Sequence, residues 1–304
     1  MKFEVTILGS SAAIPTNIRN TTAQYISCQN RHILIDCGES TQLQMRKFGV
    51  KMQRLDIILI SHLHGDHFFG LVGLISTMRM LGRDTGLKIF APKGLKEIIL
   101  MQLELDGNPI DFQIDFQELN GDFTGKIFED NAIEIHAFPL KHKVPTNGFK
   151  IVEKQRSRNL KPDVMKLPGM KLEYVHRIKA GEDIHTEDGK HFIADELTQP
   201  KKPILSYAYC SDTAYWETIV PHIKGSTALY HEATFVDAHK ANAKKTLHST
   251  ASQAARIAQM AEVKTLYMGH LSARYSDAEQ HVLEAKMHFE NSIYVEDGMK
   301  IWVK

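Results

Sequence analysis

The 304-residue chain is poor in cysteine, has no long apolar run and carries almost no net charge. Its three cysteines, Cys28, Cys37 and Cys210, are odd in number, widely spaced and in no CxxC pair. That argues against a disulfide framework and a thiolate zinc site, and it fits a reducing, cytoplasmic setting. The longest apolar stretch, Phe68 to Ile75, is eight residues with two glycines, far short of the ~20 that cross a bilayer. Met1-Lys2-Phe3-Glu4 leads straight into the strand-like Val5–Leu8, with no export signal. No membrane segment is expected. Lys and Arg number 37 against 36 Asp and Glu, so the overall charge selects no partner. Neither GxGxxG nor HExxH occurs, which removes a Rossmann dinucleotide site and a metzincin.

What is present is a 43% hydrophobic composition, enough for a sizeable core, and sixteen histidines. Short β-rich runs (Val5–Leu8, Ile33–Ile35, Ile57–Ile60, Ile133–Phe138, Ile204–Tyr209, Leu266–Met268) are interspersed with helical patterns over Thr41–Phe48, Leu95–Leu103, Ser252–Glu262 and Asp277–Phe289. The class is α/β, without the even alternation of a doubly wound sheet. Between Lys150 and Lys179, nine basic residues face three acids, a local +6 that leaves the remainder at −5. With Pro162 and the turn signal Leu167-Pro168-Gly169-Met170, this stretch reads as an inserted, exposed element on an acidic body.

The densest chemistry is Ser61-His62-Leu63-His64-Gly65-Asp66-His67, directly after the apolar Leu55–Ile60. In an extended loop, side chains two apart point the same way. His62 and His64 can therefore grip one ion, while Asp66 and His67 turn toward a second. So many buried imidazoles and a carboxylate need a cation or a full set of hydrogen bonds.

This cluster resembles the signature of the metallo-β-lactamase superfamily, which implies an αββα four-layer sandwich holding one or two metals. The same resemblance matches Asp36 as a support of the metal loop, His142 and His270 as further ligands, and Asp212 as the bridging carboxylate. The implied coordination is His62, His64, His142 and Asp212 on one zinc, and Asp66, His67, Asp212 and His270 on the other. Manganese or iron suits the same donors. More specific segments resemble the ribonuclease Z family: His231-Glu232-Ala233-Thr234, His248-Ser249-Thr250, Gly269-His270-Leu271-Ser272-Ala273-Arg274-Tyr275, and Asp36-Cys37-Gly38-Glu39-Ser40-Thr41-Gln42-Leu43-Gln44.

That resemblance implies a zinc-dependent endoribonuclease that removes the 3′ trailer of precursor tRNA, as a homodimer in which one subunit's arm presents tRNA to the other's site. The metallo-β-lactamase domain is expected over 1–149 and 204–304, with 150–203 as an inserted tRNA-binding arm, a flexible hairpin. The likeness makes Asp66 the acceptor of the water proton and His248, oriented by Glu232, the donor to the leaving oxygen. Arg274, Arg19, Asn20, Lys154, Arg156, Arg158 and Lys161 are the expected RNA contacts. Two positions depart from the family pattern: Asn17 replaces the lysine of a PxKxRN loop, and Ser40 replaces a glycine. The competing readings are another phosphodiesterase or small-ester hydrolase of the same fold, and a non-catalytic RNA-binding scaffold.

Overall fold

The structure is a computed structural model that describes residues 3–105, 107, 110–154, 158–200 and 203–304. Arg156 lies outside the described residues. The strands of the first half are β1 Phe3–Gly9, β2 Ala23–Cys28, β3 Arg31–Ile35, β4 Ile57–Leu59, β5 Leu87–Pro92, β6 Ile114–Leu119, β7 Gly125–Glu129, β8 Ile133–Leu140 and β9 Thr146–Glu153. They are followed by β10 Ile184–His185, β11 His191–Phe192, β12 Ser206–Cys210, β13 Ala228–Glu232, β14 Thr265–Gly269, β15 Ser292–Tyr294 and β16 Lys300–Trp302.

Two seven-stranded sheets form, in the orders β16-β1-β2-β3-β4-β5-β6 and β15-β14-β13-β12-β9-β8-β7. Each contains a parallel half, β3 to β6 in one and β12 to β15 in the other. A parallel strand covered on both faces must be apolar throughout, as Ile57-Ile58-Leu59-Ile60 is. Between the sheets, Val5, Ile7, Ile35 and Leu59 share a core with Ile135, Phe149, Ile151, Tyr207 and Tyr209. On the outer face of the first sheet, Leu71, Leu74, Ile75 and Met78 of the helix Leu71–Met80 pack with Ile58, Ile60 and Ile89. On the second, the helix Ala251–Met260 presents Ala251, Ala254, Ala255 and Ala258 to Ala208, Leu229 and Leu266. Small side chains let its backbone approach closely. The result is the four-layer αββα sandwich expected above.

The helix expected over Ser252–Glu262 begins at Ala251, because Thr250 closes a capping box with Gln253. The one expected over Asp277–Phe289 shortens to Glu279–Lys286, with Asp277 Oδ1 accepting the Glu279 N–H in the turn before it. No helix among the described residues is long and apolar enough to cross a membrane.

The chain divides into two compact units, Met1–Glu153 with Leu205–Lys304, and Lys154–Ile204. The second begins later than Lys150 because residues 150–153 continue β9, where Lys150 pairs with Ala208 and Val152 with Ser206 on β12. It is not a bare hairpin. It has a core of Ile178, Ile184, Phe192 and Ala194, built on the helix Leu172–Ala180 and the β10–β11 ribbon. Its cations are concentrated before Ala180; residues 181–204 hold six acids against three lysines.

Ser40 adopts φ 62°, and its side chain makes no cap hydrogen bond to the helix Thr41–Lys47. Left-handed backbone disfavours a Cβ. Ser40→Gly is therefore expected to raise stability by about 0.5–1 kcal/mol, and Phe149→Ala, which empties the inter-sheet core, to lower it by about 3–5 kcal/mol. Urea unfolding reads both; a Ser40→Gly variant no more stable than the parent refutes the first.

Candidate metal centre

The carboxyl ends of the parallel strands deliver the site, the usual place for a ligand in an α/β sheet. Asp36 follows β3, His62 lies just beyond β4, Asp212 beyond β12 and His270 beyond β14, while Glu232 ends β13. Two of these, Asp36 and His270, sit at positive φ, 58° and 65°, a strain that surrounding contacts must hold.

For Asp36 those contacts are complete. Its Oδ1 accepts the Ser61 N–H at 2.7 Å. Its Oδ2 accepts the Ser61 hydroxyl at 2.9 Å and the Tyr209 hydroxyl at 2.7 Å, and lies 2.8 Å from His67 Nδ1. An N–H at that nitrogen leaves Nε2 of His67 with a lone pair. That atom is buried without a hydrogen bond, 3.4 Å from both Asp66 Oδ2 and Asp212 Oδ1. His270 repeats the pattern. Its Nδ1 lies 2.9 Å from Thr234 Oγ1, whose hydroxyl donates to Glu232 Oε2 at 2.7 Å. Its unpartnered Nε2 lies 3.2 Å from Asp212 Oδ1 and 3.6 Å from Asp66 Oδ2.

On the other side of Asp212, His62 Nε2 and His142 Nε2 both turn to His64 Nδ1, at 3.0 and 3.3 Å. His142 Nδ1 faces the Leu247 carbonyl at 3.0 Å, so its Nε2 is the basic nitrogen. Asp212 Oδ2 stands 3.7 Å from both His62 and His142. Lone pairs aimed at one another and at carboxylates fit a cation between them. His62, His64, His142 and Asp212 form one group able to hold a metal, and Asp66, His67 and His270 form another.

The electrostatics agree. Burial opposes charge on Asp66 and Asp212, yet the His67 and His270 imidazoles hold both carboxyls well below the usual range. Burial and the adjacent His67 push His62 well below its ordinary value, so it keeps its lone pair. Burial also works against a charged His67, but Asp212, Asp66 and Asp36 outweigh it and drive its pKa well up.

Beside the cluster, Glu232 is fully buried and forked. Oε1 lies 2.9 Å from His248 Nδ1 and accepts the Ser249 N–H, and Oε2 accepts from Thr234. Burial resists protonation of His248, but Glu232, seconded by Asp212, raises it to about 9. A cavity of about 630 Å³ opens over these groups, lined among others by Ala13, Ile14, Asp66, Phe69, His142 and His248.

The expected RNA contacts fare differently. Arg274 is exposed next to the cavity-lining Ala273, stacked on Phe235 with its guanidinium 5.0 Å from the ring centroid. Arg19 instead donates to the Tyr275 and Ser276 carbonyls, and Asn20 Nδ2 donates to Asp297 Oδ2. Both bind the chain itself and neither lines the cavity. In the inserted unit Lys161 is exposed, whereas Arg158 is paired with Asp195; Lys154 also has partners within the protein. Sequence reasoning missed Thr234, Tyr209 and Asp297. Only Thr234 carried a signal, as the last residue of His231-Glu232-Ala233-Thr234.

The ribonuclease Z of Bacteroides fragilis is 41% identical over 300 residues, 99% of each chain. That of Cytophaga hutchinsonii is 40% identical, over 100% of this chain and 97% of its own. The chain belongs to the ribonuclease Z family. Human tRNase Z, short form, superposes with a TM-score of 0.72 at 26% identity over 99% of both chains. The metallo-beta-lactamase fold protein YhfI of Bacillus subtilis, at TM-score 0.71 and 16% identity over 99% of this chain and 100% of its own, shares the fold. The family described as Anti-Pycsar protein Apyc1 matches residues 3–151, within the first unit.

Thr234→Val removes the link from Glu232 to His270 and leaves Oε2 of Glu232 short of a donor. Outer partners of this kind are worth about 10–100-fold in metal affinity. Chelator competition should show that loss for Thr234→Val and not for Thr234→Ser; equal affinities in both variants refute the link.

Proposed function

We propose that the chain carries out tRNA 3′ processing, the activity of its family, through two zinc ions in this cluster, with the Lys154–Ile204 unit gripping the RNA. The observation that carries the reading is a single one. Five imidazoles and Asp66 gather around Asp212, with the Nε2 atoms of His67 and His270 left unsatisfied, beside a histidine held by its own buried carboxylate.

His62, His64, His142 and Asp212 would hold one ion, and Asp66, His67, Asp212 and His270 the other. Bound there, a metal pair supplies Lewis-acid neutralisation of the scissile phosphate and lowers the pKa of water; manganese or iron offers the same chemistry. The chain's own groups do the rest. Asp66, steadied by the Ala13 N–H at 2.9 Å, takes a proton from the attacking water. His248, kept charged by Glu232, gives its Nε2 proton to the departing 3′-oxygen. The tRNA leaves with a 3′-hydroxyl and the trailer with a 5′-phosphate. Arg274, its face on Phe235 and its Nε donating to Ser272 Oγ at 3.1 Å, would present its two terminal amino groups to a phosphate. Phosphate contacts from Lys154, Arg156, Arg158 and Lys161 would grip tRNA by shape, without reading bases.

Incubation of the purified, zinc-loaded protein with a 3′-extended precursor tRNA tests this. Cleavage after the discriminator base is expected, with two metals per chain, no product from Asp66→Ala, and a fall of about 10²–10⁴-fold in kcat for His248→Ala. A chain lacking residues 154–204 should lose tRNA cleavage and still hydrolyse a small phosphodiester. If chains pair, so that one arm serves the other's site, mixing that deletion with Asp66→Ala restores cleavage. A protein that hydrolyses the small ester and leaves precursor tRNA intact is another hydrolase of this fold; one that binds tRNA and cuts nothing is a scaffold.

A further inference from the structure

The charged and imidazole groups of the cavity account for phosphate, water and the leaving oxygen, but not for Phe69. The chain has fourteen phenylalanines, and this is the one that is exposed, at 63%. It is three residues beyond Asp66 and lines the same cavity as Asp66, His64, His142 and His248. Ile14, also largely exposed, lines that cavity too.

The ring is braced rather than loose. It lies against Gly65, where an added Cβ would fall 2.1–2.6 Å from three of its atoms. Only glycine between His64 and Asp66 leaves that space. Phe68, buried, meets the ring edge-on with centroids 4.9 Å apart and planes at 70°. The Phe69 N–H is fixed on the Gly65 carbonyl at 2.9 Å. The loop that carries His62, His64, Asp66 and His67 therefore also carries an aromatic side chain backed by protein and open to the cavity. Such an arrangement offers no hydrogen bond and no charge. What it offers is a π-face, which binds any base by stacking and none by its edge pattern.

Resting on the ribonuclease reading above, we infer that Phe69 is the stacking platform for a nucleobase next to the scissile phosphodiester. The RNA on either side of a cut in a 3′ extension is single-stranded, so its bases are free to splay onto an aromatic ring. A sequence-tolerant platform suits an enzyme that accepts many tRNAs, because it fixes the position of the phosphate without selecting the base. Gly65 has a second role in this arrangement, since any side chain there displaces the ring.

The test compares zinc-loaded wild type, Phe69→Ala and Phe69→Trp on two substrates, precursor tRNA and bis(p-nitrophenyl) phosphate. Phe69→Ala should lower the ratio of the two kcat/KM values by about tenfold, in line with alanine replacement of a stacked aromatic. Phe69→Trp should hold that ratio within about threefold of wild type. In addition, an abasic nucleotide is placed in turn on each side of the cleaved bond. At one of the two positions it should cost wild type about tenfold and cost Phe69→Ala nothing further, because the ring and the base are then partners. Three results overturn the platform: an unmoved ratio, an equal fall on both substrates, which marks a structural role in the metal loop, or abasic losses as large in Phe69→Ala as in wild type. A wild-type protein that leaves precursor tRNA intact overturns instead the reading on which the platform rests.

Discussion

The metal cluster depends on the buried carboxylate of Asp36. A charge with no solvent access costs several kcal/mol unless it is fully met by donors. Here the donors come from both halves of the sandwich: Ser61 after β4 in one sheet, Tyr209 on β12 in the other, and His67 from the metal loop. One anion therefore fixes the separation of the sheets at this end, the course of the chain into the loop and the tautomer of a metal-facing histidine. The positive φ at Asp36 is tolerated because four contacts hold it.

Glu232 performs the matching service opposite. Its two oxygens divide the work, one orienting His248 and the other, through Thr234, orienting His270. His248 and His270 thus share a support, and a shift in that carboxylate disturbs both. The cluster between the two carboxylates balances itself: acids held ionised by imidazoles, and imidazoles either stripped of protons by burial or charged by the acids. Because the ligands must be free of protons to bind metal, metal loading and protonation compete for the same nitrogens.

Much of this was legible in the sequence, for a physical reason. Polar residues that end apolar strands, as His62 follows Ile57–Ile60 and Asp36 follows Ile33–Ile35, are buried at the sheet ends and need a ligand or a full set of hydrogen bonds there. The strands indicated an α/β class, and the four-layer sandwich was implied by the family resemblance that the His62–His67 cluster carries. What the sequence hid were partnerships across long separations. Arg19 and Asn20 are expected as RNA contacts because they stand in the segment that resembles the family's PxKxRN loop. Their partners, the carbonyls of Tyr275 and Ser276 and the carboxylate of Asp297, are more than 250 residues away, and no local pattern announces them. The inserted unit looked like a bare hairpin because its strands are only two residues long and its core is four buried side chains, too little to produce a periodic signal.

On the proposed function, the same unit is what would let a nearly neutral protein address a polyanion. Several of its cations are paired: Arg158 meets Asp195, Lys166 meets Asp163, and Arg177 meets Glu182. Pairs with at least one partner in water contribute little to folding, so exchanging a carboxylate for a phosphate costs little. Under the proposed function, acids beside the cations would lower the standing field of an RNA-binding face without abolishing it, and binding there would stay sensitive to salt. Grip and chemistry would then draw on different electrostatics: surface charge that exchanges readily with phosphate, and buried charge that exchanges only with metal or proton.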